Sequence, residues 1–406
     1  MKKILHILSQ RPEKTGSGIY LQSLLKEGNK KGYEQAVIAG VPANIEKVDL
    51  GNIDKGDFFP VKFNTKKLPF PVVGMSDVMP YPSTKYRELN SEMLKKYKNQ
   101  FKDTIIKAID EFQPDLILSN HLWILTSLVK QLARNIKVIG VSHGTGVRQL
   151  KKLNKYQDYV VEGCQDLDLV FALNNYQKKE IERLYNIPEN KIIVMGAGYN
   201  SEIFYESQKS NCTKTIDIVY AGKLSYAKGV KFLIKAFEKL DRQREQKFSL
   251  KLFGEGSGEE FAEINNLVQN SKSNIELVGS VPQQKLAEEF RKSDIFCLPS
   301  FYEGLALVVI EALASGLRIV TTDLPGIKNW LGNEINKSGV IEYIELPRLK
   351  NTDIPHNEDL EQFVESLKKG LAIQVDKQPL LENEELKTKV KKLSWEGVFS
   401  RMEKYF

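Results

Sequence analysis

The sequence predicts an α/β protein of two doubly wound domains, each a mainly parallel sheet with helices on both faces. Short β-branched apolar runs recur along the whole chain, and longer amphipathic segments separate them. Apolar runs of four or five residues between helical segments are typical of buried parallel strands in βαβ units. The length of 406 residues also favours more than one domain, since one domain usually holds about 100–200 residues.

The runs with the character of strands are followed by segments with helical periodicity. The predicted strands lie at residues 4–8, 35–39, 115–119, 137–141, 169–173, 191–195, 217–221, 249–253, 275–278, 295–298, 318–321 and 339–341. The predicted helices lie at residues 19–31, 86–112, 122–134, 175–185, 230–244, 261–269, 283–292 and 308–315. This alternation is the pattern of doubly wound sheets.

A polar stretch at 205–215 predicts the domain boundary, with residues 1–205 in the first domain and the second beginning at 206. Two further segments show no clear period and are predicted to be irregular. Residues 51–82 are rich in proline and aromatic side chains, and residues 348–379 are polar. A loop of such length in a compact domain is either functional or mobile.

The composition excludes several classes of protein. The net charge of +7 comes from 59 basic and 52 acidic residues, which are scattered; this favours solvated helix faces, or attraction to anionic ligands or an anionic membrane surface. We find no nucleic-acid motif. Three cysteines without a C-x-x-C pair and four histidines without ligand spacing predict a reducing compartment and no metal site. No apolar run is long enough for a signal peptide or a membrane span, so we expect a cytoplasmic protein.

The segment PSFYEGLALVVIE, residues 299–311, follows the strand predicted at 295–298. Ligands of open α/β sheets bind outside the carboxyl ends of the strands. Gly304 lets the main chain approach a ligand, and the helix that follows offers unpaired amide groups to an anion. A helix rises about 1.5 Å per residue, so Glu303 and Glu311 reach different parts of one extended ligand. The alternative is a pair of surface glutamates around a buried helix.

The pattern P-S-x-x-E-G-x-x-x-x-x-x-E-A resembles the retaining glycosyltransferases of the two-Rossmann-domain (GT-B) architecture, especially family four. The resemblance implies two Rossmann-like domains that face a central cleft. It also implies that Glu303 contacts the donor sugar and that the amides of Gly304 and Leu305 approach sugar and phosphate. Glu311 is then expected to bind the ribose hydroxyls of the nucleotide.

AGKLSYAKG, residues 221–229, resembles the family's G-R-L-x-x-x-K-G pattern and follows a predicted strand. The resemblance places Lys223 and Lys228 on the donor pyrophosphate, with Gly222 beside them. Lys223 stands where Arg is usual, which keeps the charge but loses the bidentate fork. Gly254 is expected beside the nucleotide, and the main chain of Val281 near the base. The alternative for the two lysines is a solvated surface.

Signals before residue 200 are weaker. Gly16 and Gly18, in TGSG, resemble the family's first loop, which lies against phosphate and acceptor. His143 stands where the family often has a histidine that touches the donor sugar; a structural histidine is the alternative.

The C-terminal residues resemble a closing helix, which assigns 390–406 back to the first domain and leaves 206–389 as the second. Residues 58–82 are a candidate acceptor wall or lid, or a packed loop.

These matches imply transfer of a sugar from a nucleoside-diphosphate sugar, most often a UDP-sugar, to an unidentified acceptor. The acceptor classes left open are a small molecule, a glycan and a lipid-linked sugar, the last with a peripheral contact at the inner membrane face. The resemblance implies a front-face substitution with retained configuration, without metal or other cofactor. Two alternatives stay open: a nucleotide-sugar epimerase or hydrolase of the same architecture, and a non-catalytic sugar-nucleotide-binding protein.

Overall fold

The computed structural model describes residues 2–45, 47–50, 57–207, 215–351, 353–377 and 383–406. The chain divides into two compact units. Met1–Ala197 and Val398–Phe406 form the first, and Gly198–Gly397 form the second. Much of the stretch predicted as a linker, 208–214 with Cys212, lies outside the described residues, as do 51–56.

The first unit is built on a seven-stranded parallel sheet in the order β3-β2-β1-β6-β7-β8-β9. Its strands are β1 (Lys3–Leu8), β2 (Glu34–Pro42), β3 (Phe58–Phe63), β6 (Leu116–Asn120), β7 (Lys137–Val141), β8 (Leu169–Ala172) and β9 (Ile192–Val194). Two short strands, β4 (Val73–Gly74) and β5 (Thr84–Lys85), form a separate parallel pair.

In the part of the first unit that the structure describes, six α-helices cover this sheet: α1 (Gly16–Lys30), α2 (Ser91–Phe112), α3 (Ile124–Leu132), α4 (Thr145–Lys152), α5 (Gln157–Gln165) and α6 (Asn175–Tyr185). Three of them begin where a polar side chain accepts a hydrogen bond from a free amide of the first turn. Thr15 caps α1, Asn90 caps α2 and Asn174 caps α6.

The second unit holds a six-stranded parallel sheet in the order β12-β11-β10-β13-β14-β15. Its strands are β10 (Thr215–Ala221), β11 (Lys247–Phe253), β12 (Ile275–Gly279), β13 (Ile295–Leu298), β14 (Arg318–Thr322) and β15 (Ile341–Ile344). Its helices are α7 (Val230–Gln243), α8 (Gly258–Gln269), α9 (Gln283–Lys292), α10 (Leu307–Ala314), α11 (Ile327–Leu331), α12 (Asn333–Lys337), α13 (Leu360–Val375) and α14 (Glu384–Lys391), and the last helix, α15 (Trp395–Met402), begins here and ends in the first unit.

The central strands are apolar along nearly their whole length because helices cover both faces of each sheet. All four residues of β13 are buried, as are all five of β6. Such strands show continuous apolar runs rather than alternation, which is why they can be located in the sequence. The structure confirms the predicted fold class of two doubly wound α/β domains.

Two predicted irregular segments contain regular structure, so those predictions are wrong. Residues 51–82 include the edge strand β3, which pairs with β2 and carries Pro60. A proline within a run argues against a central strand but is tolerated at an edge. Residues 348–379 include α13, whose buried Phe363, Leu367 and Leu371 contribute to the core. Helices α4 and α5 were not predicted either.

The residues from Val398 onward pack as part of the first unit. Val398, Phe399 and Met402 are fully buried. The Tyr33 hydroxyl donates to Glu403 Oε1 at 2.9 Å, and Arg401 donates to the carbonyl of Met195 at 3.0 Å. This segment therefore completes the core of the unit that begins the chain.

Two glycines at the starts of neighbouring helices test how tightly the second unit is packed. Gly229 and Gly258 have φ of +69° and +71°, but a Cβ at Gly229 would lie 2.1 Å from the Pro299 carbonyl oxygen, whereas at Gly258 nothing lies within 4 Å. Gly229→Ala should cost about 2–4 kcal/mol and Gly258→Ala about 1 kcal/mol. Urea unfolding of both variants measures the difference, and equal losses would contradict the packing.

Candidate functional site

The loops that follow β10 and β13 meet where the strand order of the second sheet reverses. β10 is first in the chain and central in the sheet, so its successors run to one side and β13–β15 to the other. At such a switch point the connections after the two strands run on to opposite sides of the sheet, which leaves a crevice outside the carboxyl ends of the strands. Gly229, after β10, touches Pro299, after β13, so the two loops are held together.

Lys228 and Glu303 form an ion pair across this crevice. Lys228 Nζ lies 2.9 Å from Glu303 Oε1, and the side chains are 24% and 20% exposed. Lys228 also donates to the carbonyl of Tyr302 at 2.9 Å, and the buried Ser300 hydroxyl donates to the same Glu303 oxygen at 2.8 Å. No partner of Glu303 Oε2 is found among the described residues, so that oxygen remains an acceptor for a ligand hydroxyl.

Lys223 supplies a second cation at the end of β10. It is exposed, and no ion pair with it occurs in the part of the chain that the structure describes. Its carbonyl accepts a hydrogen bond from the buried Tyr220 hydroxyl at 2.8 Å. Burial, with the nearby Glu303 charge, raises the pKa of Tyr220, so the hydroxyl keeps the proton it donates. Lys223 is thus free to bind an anion while its main chain is fixed.

A pocket of about 580 Å³ opens at the carboxyl ends of β10, β11 and β12. A volume of this size is typical of small-molecule sites, at about 300–1,000 Å³. Gly254 forms part of its wall at φ +137°, and a Cβ there would lie 1.8 Å from the Gly222 carbonyl oxygen. The lining residues are Ala221, Gly222, Lys223, Phe253, Gly254, Glu255, Gly256, Ser257, Ser280, Val281 and Leu286. The structure therefore brings Gly222, Lys223, Gly254 and Val281 together.

The remaining predicted residues of this unit lie around the start of α10. Gly304 is exposed, and no atom would meet a Cβ there within 4 Å, so space is open for a ligand. Leu305 is half-buried and lies shortly before the first residue of α10. Glu311 lies inside the helix, and among the described residues we find no hydrogen bond or ion pair to its carboxylate. Burial raises the pKa of Glu311 to about 7.

In the first unit, His143 lies after β7 in a cluster of uncharged polar groups. His143 Nε2 is 2.8 Å from Asn120 Oδ1, and Thr145 Oγ1 is 2.9 Å from His121 Nδ1. The rings of His143 and His121 lie 4.9 Å apart, and Tyr20 contacts His143 at 5.0 Å. Burial lowers the pKa of His143 to about 3 and, with the His143 charge, that of His121. Both rings are neutral at pH 7.

Gly16 and Gly18 lie in the first turn of α1 rather than in a loop before it, because the helix begins at Gly16 and not at residue 19. Their surroundings differ. Gly16 is exposed, and a Cβ there would meet no atom within 4 Å, so its surface is open to a ligand. Gly18 is buried, and a Cβ would lie 2.7 Å from the Pro12 carbonyl carbon. Its amide also donates to Thr15 Oγ1 at 3.1 Å. Close packing therefore explains Gly18 without a ligand.

Sequence reasoning missed the residues that hold these groups in place. Ser300 orients Glu303, Tyr220 fixes the Lys223 main chain, and Asn120 contacts His143. Ser300 lies within the segment 299–311, and Asn120 directly follows the strand predicted at 115–119, but nothing in the sequence shows which atom each one contacts.

Within the described ranges, no group of three His, Cys, Asp or Glu side chains is arranged to hold a metal ion. No helix in the same residues is long and apolar enough to cross a membrane. The absence of a cofactor, the cytoplasmic location and the peripheral membrane contact stay predictions.

Two family models match adjoining parts of the chain. The model described as Glycosyltransferase Family 4 matches residues 15–202, and that described as Glycosyl transferases group 1 matches residues 202–344. The first range contains His143, and the second contains Lys223, Lys228, Glu303 and Glu311. The chain belongs to the family-four type of glycosyltransferases with the GT-B fold.

Individual relatives agree with this assignment. An uncharacterized glycosyltransferase of Methanocaldococcus jannaschii is 28% identical over 264 residues, which is 59% of this chain and 63% of that protein. The match thus spans less than two thirds of the relative's own length. Among solved structures, sucrose-phosphate synthase from Thermosynechococcus elongatus (TM-score 0.62, 17% identity) covers 100% of this chain and 98% of its own. Anabaena HepE, in complex with UDP and glucose, has a TM-score of 0.60 at 13% identity and covers 100% and 99%.

The raised pKa of Glu311 predicts a loss of stability at high pH. A carboxyl with a folded-state pKa of about 7, above its ordinary 4.5, binds an extra proton in the native state between these values. The stabilisation that this proton gives to the folded state is therefore fully present below pH 4.5 and is lost as the pH rises through 7. Glu311→Gln should be more stable than the wild type at pH 8, by about 1–3 kcal/mol, but nearly equal near pH 4.5. Parallel stability curves from urea unfolding at pH 4.5–8 would contradict this.

Proposed function

We propose that this protein transfers a glycosyl unit from a nucleoside-diphosphate sugar to an acceptor hydroxyl with retained anomeric configuration. The observation that carries the proposal is the switch-point crevice of the second unit. There Lys223 lines a pocket of about 580 Å³, and the Lys228–Glu303 pair joins the loops that follow β10 and β13. Within this one unit the lysines suit an anionic diphosphate, the glutamates suit the hydroxyls of a sugar, and the main chain at Val281 suits a flat base.

The diphosphate is assigned to the two lysines and the amides before α10. When the bond between the sugar and the diphosphate breaks, negative charge grows on the leaving phosphate. Cations fixed in place beforehand stabilise that charge more in the transition state than in the ground state, which lowers the barrier. No metal ion is needed in this proposal, because Lys223 and Lys228 supply the positive charge that a metal would otherwise supply.

The sugar is assigned to Glu303 and the ribose to Glu311. Glu303 Oε1 is already bonded to Lys228 and Ser300, which fixes the carboxylate so that Oε2 can accept from a ligand without further reorganisation. A ribose diol donates hydrogen bonds to a carboxylate, so Glu311 binds it as the anion. Because the pKa of Glu311 is about 7, nucleotide binding is expected to strengthen as the pH rises through 7.

The reaction follows a front-face course in this proposal. The acceptor oxygen forms a bond to the anomeric carbon on the face from which the diphosphate leaves. The acceptor's proton passes to an oxygen of the leaving phosphate, so no side-chain nucleophile is required. We favour a UDP-sugar as donor, since a solved structure with the same fold carries UDP and glucose.

A panel of nucleotide sugars tests the activity directly. A thermal-shift screen with UDP, GDP and ADP first selects the base, because a bound ligand raises stability with the logarithm of its concentration over Kd. Turnover of the matching sugar nucleotides is then followed in the presence and absence of acceptors. If the donor is consumed equally fast with and without an acceptor, the protein is a hydrolase or epimerase. If the donor binds but is not turned over with any acceptor, the protein is non-catalytic. NMR of the product's anomeric proton decides between retention and inversion.

Lys228→Ala should lower kcat by roughly 10²–10³, because it removes a charge that acts on the leaving phosphate. Lys231→Ala is the matched control: this lysine lies three residues further on, in α7, and pairs with Glu263. The control should leave kcat unchanged. An unaltered turnover number for Lys228→Ala would remove this lysine from the mechanism.

Glu311→Ala should raise the donor KM more than it lowers kcat, since a ribose contact is the same in the ground and transition states. Calorimetric titration with the nucleoside diphosphate alone should show the same loss of affinity. An unchanged Kd would exclude the ribose role.

A further inference from the structure

Asn120, the last residue of β6, holds two different partners with the two atoms of its amide. The side chain is 3% exposed. Its Nδ2 lies 3.1 Å from the carbonyl oxygen of Ile7 on the neighbouring strand β1, and its Oδ1 lies 2.8 Å from His143 Nε2. A main-chain carbonyl oxygen only accepts hydrogen bonds, so the amide nitrogen must face Ile7. The orientation of the amide is thereby fixed.

This orientation determines the tautomer of His143. The oxygen of the amide also only accepts, so His143 Nε2 must carry the hydrogen of that bond. Burial lowers the pKa of His143 to about 3, and a neutral imidazole carries one ring hydrogen. Nδ1 is therefore unprotonated and offers a lone pair.

The surroundings of the ring leave this lone pair unused. Tyr20 and His121 contact the ring edge to face. Thr145 takes up His121 Nδ1, and His121 Nε2 is buried without a hydrogen-bond partner among the described residues. Among the described residues we find no hydrogen bond to His143 Nδ1, and the residue is only half-buried. Nδ1 is thus an acceptor without a partner among the described residues, and it lies after the carboxyl end of β7, where ligands of parallel sheets bind.

We propose that Asn120 is a positioning residue that holds His143 in the Nε2–H tautomer, so that His143 Nδ1 accepts a hydrogen bond from a ligand hydroxyl. A lone pair accepts from a hydrogen-bond donor and repels phosphate or carboxylate oxygens, and the donor that we assign here is an alcohol hydroxyl. Only the naming of this alcohol as a sugar hydroxyl rests on the proposed function. The tautomer follows from the contacts of Ile7, Asn120 and His143 alone.

Nitrogen-15 NMR of histidine-labelled protein at pH 7 tests the tautomer without any substrate. The expected spectrum shows one protonated nitrogen, Nε2, and one unprotonated nitrogen, Nδ1, for His143. The opposite tautomer, or an imidazolium ring, would overturn the proposal. Because the wild-type protein alone decides this, a variant that folds poorly does not remove the test.

Two variants separate the role of Asn120 from general packing. Asn120→Leu keeps the size of the side chain and should give averaged shifts for the two ring nitrogens of His143. Thr145→Val is the matched control, since it removes the partner of the neighbouring His121 and should leave the His143 tautomer unchanged. An unchanged tautomer in Asn120→Leu would show that Asn120 does not select it.

Two substitutions of His143 then test which ring nitrogen meets the ligand. An asparagine places a polar atom near the position of Nδ1, and a glutamine places one near Nε2. With UDP-glucose, or the sugar nucleotide that the panel selects, His143→Asn should keep roughly tenfold more kcat/KM than His143→Gln. The reverse order would overturn the ligand contact. A lack of turnover by the wild type would instead count against the proposed function, and the NMR result would still stand.

Discussion

The central position of the first strand in each sheet is the constraint on which the rest of the molecule depends. β10 lies between β11 and β13, and β1 lies between β2 and β6. The chain therefore leaves each of these strands towards one side of the sheet and returns later on the other side, so the loops at that point diverge. Parallel strands all end at the same edge, and the side chains after them converge there. Lys228 and Glu303 meet for this reason, although they are far apart in the sequence.

The two units use this geometry for different chemistry. In the second unit two cations and the Glu303 carboxylate follow β10 and β13, and among the described residues only Lys228 of the two cations forms an ion pair. In the first unit the residues grouped around His143 are uncharged, and burial keeps both histidines neutral. A partly buried ion pair is costly to break unless new partners replace the old ones. A diphosphate offers such a replacement to Lys228, and a sugar hydroxyl offers one to Glu303, whereas the neutral cluster suits a ligand without charge.

Much of the fold could be predicted from the sequence because buried parallel strands leave unbroken apolar runs. The prediction missed β3, whose Pro60 is acceptable only because the strand lies at an edge. It also missed α13, because polar flanks hid the buried face that Phe363 and Leu367 form. For the site, the resemblance to the glycosyltransferase motifs singled out the segments around Lys228 and Glu303, but it could not show that the two side chains bond to each other. Nor could it show that close packing against Pro12 requires a glycine at position 18. The hydrogen bonds by which Ser300 orients Glu303 and Asn120 orients His143 were equally hidden, since they depend on how individual side chains are oriented in the folded chain.

The return of residues 398–406 to the first unit has a consequence for synthesis on the ribosome. Domains generally fold as units in order of their emergence, the N-terminal one first. Here the buried side chains of Val398, Phe399 and Met402 leave the ribosome only after every residue of the second unit has been made. The first unit therefore cannot complete its core until synthesis of the chain has ended. Until then it exposes apolar surface, although most of its residues are made first. A delay of this kind follows from the topology of the chain and does not depend on the stability of the folded protein.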